Sequence, residues 1–227
     1  GREEATGRGV SYVTLEALQH LKLDVSKATV AVQGFGNVGS NTALIMQQAG
    51  ARVVAVSDVG GGLYNPKGLD IADVLHRYRD KHEPLREIKL GESISNEELL
   101  QLDCTVLVPA ALSEQITHAN ASKLRCRILA EGANGPTTLE ADRILTDKGV
   151  FIIPDILANS GGVIVSYFEW VQDVQRFFWK AKDIQDRLQD IITSAFHRTL
   201  QFSVEKRTTM RMAALMSGID KVAQAHL

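Results

Sequence analysis

Apolar residues recur near the start of the chain at Val10, Val13, Leu15, Leu18 and Leu21, a spacing that predicts a helix over Arg2 to His20. The chain turns through the polar stretch from Lys22 to Lys27. Thr29-Val-Ala-Val-Gln33 is then a short run of β-branched and small residues with no polar face, the pattern of a strand covered by helices on both sides. From Asn37 onward, Val38, Thr42, Ile45 and Ala49 share a helical stripe that stops at Gly50, a residue suited to the left-handed cap. Arg52-Val-Val-Ala-Val-Ser57 follows as a second apolar strand. Strand, helix and strand within about thirty residues make one βαβ unit.

The alternation continues less regularly. Asp70 to Lys81 reads as an amphipathic helix, and Ser95-Asn-Glu-Glu98 as the capping-box start of another; the polar stretch between them carries no assigned element. Thr105 to Val108, Arg127 to Ala130 and Val150 to Ile153 are further buried strands, separated by helical stretches around Thr117 to Leu124 and Leu139 to Lys148. Gly60-Gly-Gly62 through Asn65-Pro66-Lys67-Gly68 reads as a breaker-rich loop. Beyond Pro154 only helical spacing remains: Ile184, Leu188, Ile191 and Ala195 share a face, as do Met212, Leu215, Ile219 and Val222. The expected fold class is α/β, a Rossmann-like, doubly wound, mostly parallel sheet with helices on both faces and C-terminal helices added. Its parts are an N-terminal helix over 1–22, a core sheet over 27–155 and a helical part over 159–227 of one dinucleotide-binding domain.

Composition narrows the class. With 227 residues and 44% hydrophobic content, the chain suits one well-cored unit. Its formal charge of −2 is spread along the chain, so no basic footprint for nucleic acid or an anionic membrane stands out. The longest apolar runs are strand-sized and no signal pattern opens the chain, which makes a cytoplasmic location the expectation. Cys104 and Cys126 lack metal-ligand spacing and read as buried free thiols. His20, His76, His82, His118, His197 and His226 are scattered, and no serine or cysteine sits in a nucleophile elbow, so neither a metal site nor a triad is expected.

Gly34-Phe35-Gly36-Asn37-Val38-Gly39 matches G-x-G-x-x-G and stands where dinucleotide binding requires it, between a strand and a helix. Gly34 permits the tight turn, Gly36 lets backbone approach a diphosphate, and Gly39 allows the helix to pack on the strand. The first amides of the helix, near Asn37 and Val38, favour an anion. Asp58 ends the second strand about twenty residues after the last glycine, where a carboxylate accepts hydrogen bonds from the adenosine ribose. It would repel a 2′-phosphate, which favours NAD over NADP. Aspartate is also common as a turn cap, the bland account of the same residue.

The segments Arg2-Glu-Glu-Ala-Thr-Gly-Arg-Gly-Val10, Gly34 to Gly39, Val108-Pro-Ala-Ala-Leu112, Ala130-Glu-Gly-Ala-Asn-Gly-Pro136 and Ile153-Pro-Asp-Ile-Leu-Ala-Asn-Ser-Gly-Gly-Val163 occur in the order found in one family. Through them the chain resembles the cofactor-binding domain of the glutamate/leucine/phenylalanine/valine dehydrogenases. The resemblance implies reversible oxidative deamination, in which an L-amino acid gives a hydride to a nicotinamide and becomes a 2-oxo acid and ammonium. It implies that Thr6 contacts the nicotinamide carboxamide, that Asn134 and Asn159 lie near the nicotinamide and its ribose, and that Ala110 and Ala111 wall the adenine side. Each has a structural reading too: Thr6 and Asn159 as helix caps, Asn134 as a turn residue before Gly135-Pro136.

Ser166, followed by Tyr167-Phe-Glu-Trp170, matches the family members that hold a substrate side-chain carboxylate, which implies L-glutamate and 2-oxoglutarate rather than leucine, valine or phenylalanine. A helical serine alone often bonds its own backbone. The family's catalytic lysine and aspartate belong to motifs not found in this sequence, so the expectation is a domain of a longer protein, a homo-hexamer when whole, that binds cofactor without turnover by itself. Asp155 is read as structural. Two competing accounts use the same fold: a non-catalytic NAD-binding module, and another nucleoside-using enzyme such as a methyltransferase or sugar-nucleotide enzyme.

Overall fold

The computed structural model describes residues 1–225. In chain order its main elements are α1 (Arg2–His20), β1 (Thr29–Gln33), α2 (Asn37–Gln48), β2 (Arg52–Asp58), β3 (Gly61–Tyr64), α3 (Ile71–Leu75), β4 (Glu92–Ile94), α4 (Asn96–Leu100), β5 (Val106–Pro109), β6 (Ile128–Ala130), α5 (Leu139–Asp147), β7 (Phe151–Ile153), α6 (Asp155–Ala158), α7 (Gly161–Gln175), α8 (Ala181–Lys206) and α9 (Met210–Gln224). His226 and the last residue of the expected helical part lie outside the described residues.

Among the described residues one sheet has seven strands in the order β4-β3-β2-β1-β5-β6-β7. The strands from β2 to β7 across β1 are all parallel, while β3 and β4 join antiparallel at one edge. The doubly wound, mostly parallel sheet expected from the sequence is the fold observed. Its parallel strands are buried on both faces, as Val30, Ala31, Val32, Val106, Leu107, Val108, Ile128 and Leu129 show at 0–1% exposure. Residues alternate between two cores, one beneath α1 and α2 and the other beneath α4 and α5.

Several expectations need correction. The glycine-rich loop at 60–68 contains β3, a hairpin partner of β2 whose first residue, Gly61, takes φ +126 just after the turn and whose Leu63 is fully buried. The unassigned polar stretch supplies the edge strand β4. Residues 117–124 form only a 3₁₀ turn at Ala121–Lys123, because Asn120 Oδ1 accepts from the Thr117 N–H at 2.8 Å and Thr117 Oγ1 from the Ala119 N–H at 3.3 Å. The helix expected over 70–81 starts at the Asp70 cap but passes after Leu75 into a π-helical turn over His76–Asp80. On α8 the buried face carries Leu188, Ile192 and Phe196, and Ile191 is exposed. On α9 it carries Met210 and Ala213; the expected stripe of Met212, Leu215, Ile219 and Val222 faces outward.

Two other features agree with the sequence. The Ser95 capping box is formed, with both Ser95 and Glu98 bonded reciprocally. Cys104 and Cys126 are buried thiols. The described histidines are all exposed, and no group of metal-ligating side chains occurs among the described residues. No described helix is long and apolar enough to cross a membrane.

Candidate functional site

Strand order reverses between β1 and β5, so the loops leaving these neighbouring strands diverge and open a crevice at their carboxyl ends. The first loop is the glycine run. Gly34 turns at φ +94, and a side chain there would abut the Ala110 carbonyl at 2.7 Å. Gly39 lies so close to the Gly34 carbonyl that a side chain has no room. Gly36 differs: a Cβ built on it meets nothing within 4 Å, because its α-carbon faces the open crevice. Gly36 is the N-cap of α2 and no side chain caps that end, which leaves the leading amides of Asn37 and Val38 for an external acceptor.

Two cavities extend from this point and share Ala111 and Leu112. The larger, of about 600 Å³, is lined by Thr6, Val38, Ala110, Asn134, Asn159 and Gly162 among others. The smaller, of about 430 Å³, is bounded by Gly34, Phe35, Gly36, Asp58, Tyr78 and Gln115 among others. An elongated ligand with a negative centre fits a crevice whose middle is an uncapped helix N-terminus and whose two arms are lined by both polar and apolar residues.

On the larger side, Asn159 Nδ2 donates to Asn134 Oδ1 at 2.6 Å. Thr6 comes from α1, which is drawn against α2 and α7 by small residues: a Cβ on Gly7 would meet the Val38 carbonyl at 2.7 Å, and one on Gly162 would meet Thr6 Oγ1 at 2.6 Å. Thr6 therefore lies inside the first helix and does not cap it. Among the described residues no lysine, arginine, histidine or carboxylate lines this cavity.

On the smaller side, Asp58 Oδ1 accepts the Gly60 N–H at 2.7 Å, so the turn-cap role is real. The Tyr78 phenol, from the π-helical turn, is held above its ordinary pKa by burial and then by the charge and hydrogen bond of Asp58. Phe35 contributes a ring that is 2% exposed and packs edge-on against Tyr78, with centroids 5.4 Å apart. Asn96 fixes the end of β2 by accepting from Ser57 Oγ at 2.6 Å and donating to the Asp58 carbonyl at 2.8 Å.

The structure thus brings Thr6, Val38, Ala110, Ala111, Asn134 and Asn159 to one cavity and Gly34, Phe35, Gly36, Asp58 and Ala111 to the other. Asn37 is exposed at the first turn of α2, and Gly39 is consumed in packing. Ser166 lines neither cavity; its hydroxyl donates to the Gly162 carbonyl at 2.9 Å, one helical turn from the larger one. Tyr78, Asn96 and Gln115 carry no sequence signal for this site, since each arrives from a different element. A further omission is Glu131, which is fully buried and paired with Arg211 at 2.7 Å.

The fold and its crevice define a Rossmann-like α/β domain with a site at the topological switch point. The whole chain, residues 1–227, matches the Glutamate/Leucine/Phenylalanine/Valine dehydrogenase family, and it belongs to that family. The glutamate dehydrogenase of Thermotoga maritima is 50% identical over 226 residues, which are 99% of this chain and 54% of the relative. The cryptic catabolic NAD-specific glutamate dehydrogenase GudB of Bacillus subtilis is 46% identical over 99% of this chain and 52% of its own length. The crystal structure of hetero-hexameric glutamate dehydrogenase from Thermus thermophilus in a leucine-bound form superposes with a TM-score of 0.92 at 33% identity, covering 99% of this chain and 53% of that one. The chain spans about half the length of the curated relatives it matches.

Proposed function

We propose that this chain is the nicotinamide-dinucleotide-binding part of an amino-acid dehydrogenase acting on L-glutamate, with NAD as its cofactor and NADP as the weaker alternative. The observation that carries the reading is the cradle at Gly36: open space over its α-carbon, an uncapped helix N-terminus beside it, and a cavity to either side. The amides of Asn37 and Val38 would hold the diphosphate, where the helix dipole favours negative charge. Asp58 would accept from the adenosine ribose hydroxyls, with Ala111 on the adenine-side wall; Ala110, expected on that wall too, lines the larger cavity instead. Thr6, Asn134 and Asn159 would bind the carboxamide and ribose of the nicotinamide end.

Bound NAD supplies the hydride acceptor for the α-carbon of the amino acid. The residues of this chain orient it and shield it from water. Ser166 would contribute to substrate choice by turning its hydroxyl from the Gly162 carbonyl toward the side-chain carboxylate of glutamate. The absence of charged side chains around the larger cavity supports placing the acid–base lysine and aspartate in the part of the relatives that this chain does not cover. In the longer protein we expect conversion of L-glutamate to 2-oxoglutarate and ammonium, a homo-hexamer, a cytoplasmic location, and no nucleic-acid or membrane partner. The NAD-specific names of the Bacillus subtilis and Staphylococcus aureus relatives support the cofactor.

Calorimetric titration of the 227-residue chain with NAD, NADP and S-adenosylmethionine tests the reading. NAD is expected to bind most tightly. Binding of S-adenosylmethionine without NAD overturns it, and steady-state glutamate oxidation by this chain alone overturns the expected lack of turnover.

A further inference from the structure

Arg211, in the first turn of α9, has a largely buried side chain, 14% exposed, surrounded by three carboxylates. It donates from Nη2 to Glu131 Oε1 at 2.7 Å, from Nε to Asp142 Oδ1 at 2.8 Å and from Nη1 to Asp155 Oδ1 at 3.5 Å. Burial alone would lower the pKa of this guanidinium; the hydrogen bonds and charges of Glu131 and Asp142 reverse that, and the net shift is upward. The cluster continues beyond Arg211. Glu131 Oε2 accepts the Asp155 N–H at 2.9 Å, and Asp155 Oδ2 accepts the Gly135 N–H at 2.8 Å. Gly135 directly follows Asn134, the partner of Asn159.

A path of charge-assisted hydrogen bonds therefore runs from α9 to Gly135, the backbone neighbour of Asn134 in the asparagine pair of the larger cavity. Stability alone does not account for its far end. The Asp155–Gly135 bond is at the exposed surface, where a hydrogen bond exchanged with water contributes little, yet it fixes where the 132–135 loop stands relative to α6. Apolar residues in place of Arg211 and its carboxylate partners together would fill the same space without desolvating any charge. The planar fork of arginine does what an apolar group cannot: its three nitrogens each meet a different carboxylate, which sets Glu131 and Asp142 in direction as well as in distance and keeps Asp155 beside them.

We propose that Arg211 is a positioning residue for the nicotinamide end of the cofactor, acting through Glu131 and Asp155 on Asn134 and Asn159. This rests on the dinucleotide reading above. The test compares NADH with ADP-ribose, which lacks only the nicotinamide, by titration of the 227-residue chain. Arg211→Gln is expected to weaken NADH about tenfold while ADP-ribose stays within about twofold, and Arg211→Lys, which keeps the charge without the fork, to recover part of the loss. Asp155→Ala cuts the path near the surface and is expected to show the same selective loss with a melting temperature close to the parent, so it decides the matter if Arg211→Gln does not fold.

Equal weakening of both ligands in a folded variant, or no change in either, overturns the positioning role, as does a parent chain that binds NADH no more tightly than ADP-ribose. A parent chain that binds neither ligand overturns the dinucleotide reading itself, and the positioning role with it.

Discussion

Asn159 donates its side-chain amide to the side-chain carbonyl of Asn134, 2.6 Å away and 25 positions earlier in the chain. The two residues sit at the ends of neighbouring parallel strands' loops, and the bond closes one wall of the larger cavity. Asn159 does not cap α7, since Ser160 occupies that N-cap position. Its side chain is free of that duty and points across to the loop after β6. The pair retains one amide NH₂ on Asn134 and one carbonyl on Asn159, the complement of a carboxamide.

Asn134→Ala removes this complement from an exposed loop where nothing buried is lost. We expect the melting temperature to hold, with a stability change within about 0.5 kcal/mol, and NADH binding to weaken about tenfold. Unchanged NADH affinity by titration would remove Asn134 from the site.

Gly36 and Gly39 separate ligand effects from folding effects. Gly36→Val adds a side chain into open space at an ordinary backbone conformation, φ −73, so the variant is expected to melt like the parent yet bind NAD at least about a hundredfold more weakly. Gly39→Ala collides with the Gly34 carbonyl and is expected to lower the melting temperature outright. Full NAD binding by Gly36→Val shows that the diphosphate lies elsewhere.

Asp58 is the residue expected to set the cofactor preference under the proposed reading. Its carboxylate faces the smaller cavity between the Gly60 amide and Tyr78. Asp58→Ser removes the charge that repels a 2′-phosphate and weakens the grip on the ribose hydroxyls. The ratio of NAD to NADP affinity is expected to fall by about tenfold or more, read by parallel titrations. A constant ratio locates the discrimination in another residue.

The two thiols should be inert in the folded chain. Burial raises both pKa values, that of Cys126 from 9.0 to about 12. At a pH of about 8 neither presents thiolate, so an aromatic disulfide reagent is expected to label them only on unfolding. The folded state keeps its thiol protons where the unfolded state loses them. This contribution is therefore complete below the unfolded value of 9.0 and is lost as pH rises toward about 12, so stability declines over that window. Prompt labelling of the native chain contradicts the burial.

Arg207 ends α8 in the left-handed conformation, φ 50 and ψ 50, with its side chain in solvent. Arg207→Gly relieves that strain at a helix end and is expected to stabilise by about 1 kcal/mol, or roughly 2–4 °C in melting temperature. A lower melting temperature shows that the arginine side chain contributes more than its backbone costs.

What could be read without the fold was local. The run from Thr29 to Gly39 carries its own instructions, because a bare apolar strand, a glycine turn and a helix stripe are set by residues a few positions apart. The Ser95 capping box is equally short-range. The family segments extend that legibility to Thr6, Asn134 and Asn159, though not to their bonding. β3 and β4 stayed hidden because glycine-rich and polar residues become strands only when an edge of the sheet is there to pair with. Beyond Leu188 the buried face of α8 lies one position from the expected stripe, since helical spacing allows neighbouring stripes and only the packing partner selects one.

The sequence by itself therefore determined the α/β class, the cradle at Gly36 and the acid at Asp58, all products of neighbours in the chain. Only the tertiary structure decided that Tyr78 closes on Asp58, that Asn159 meets Asn134, and that Arg211 reaches Glu131 across 80 positions. The physical reason is that hydrogen bonds and charge pairs of this kind depend on distance and direction in space, which no periodicity along the chain encodes.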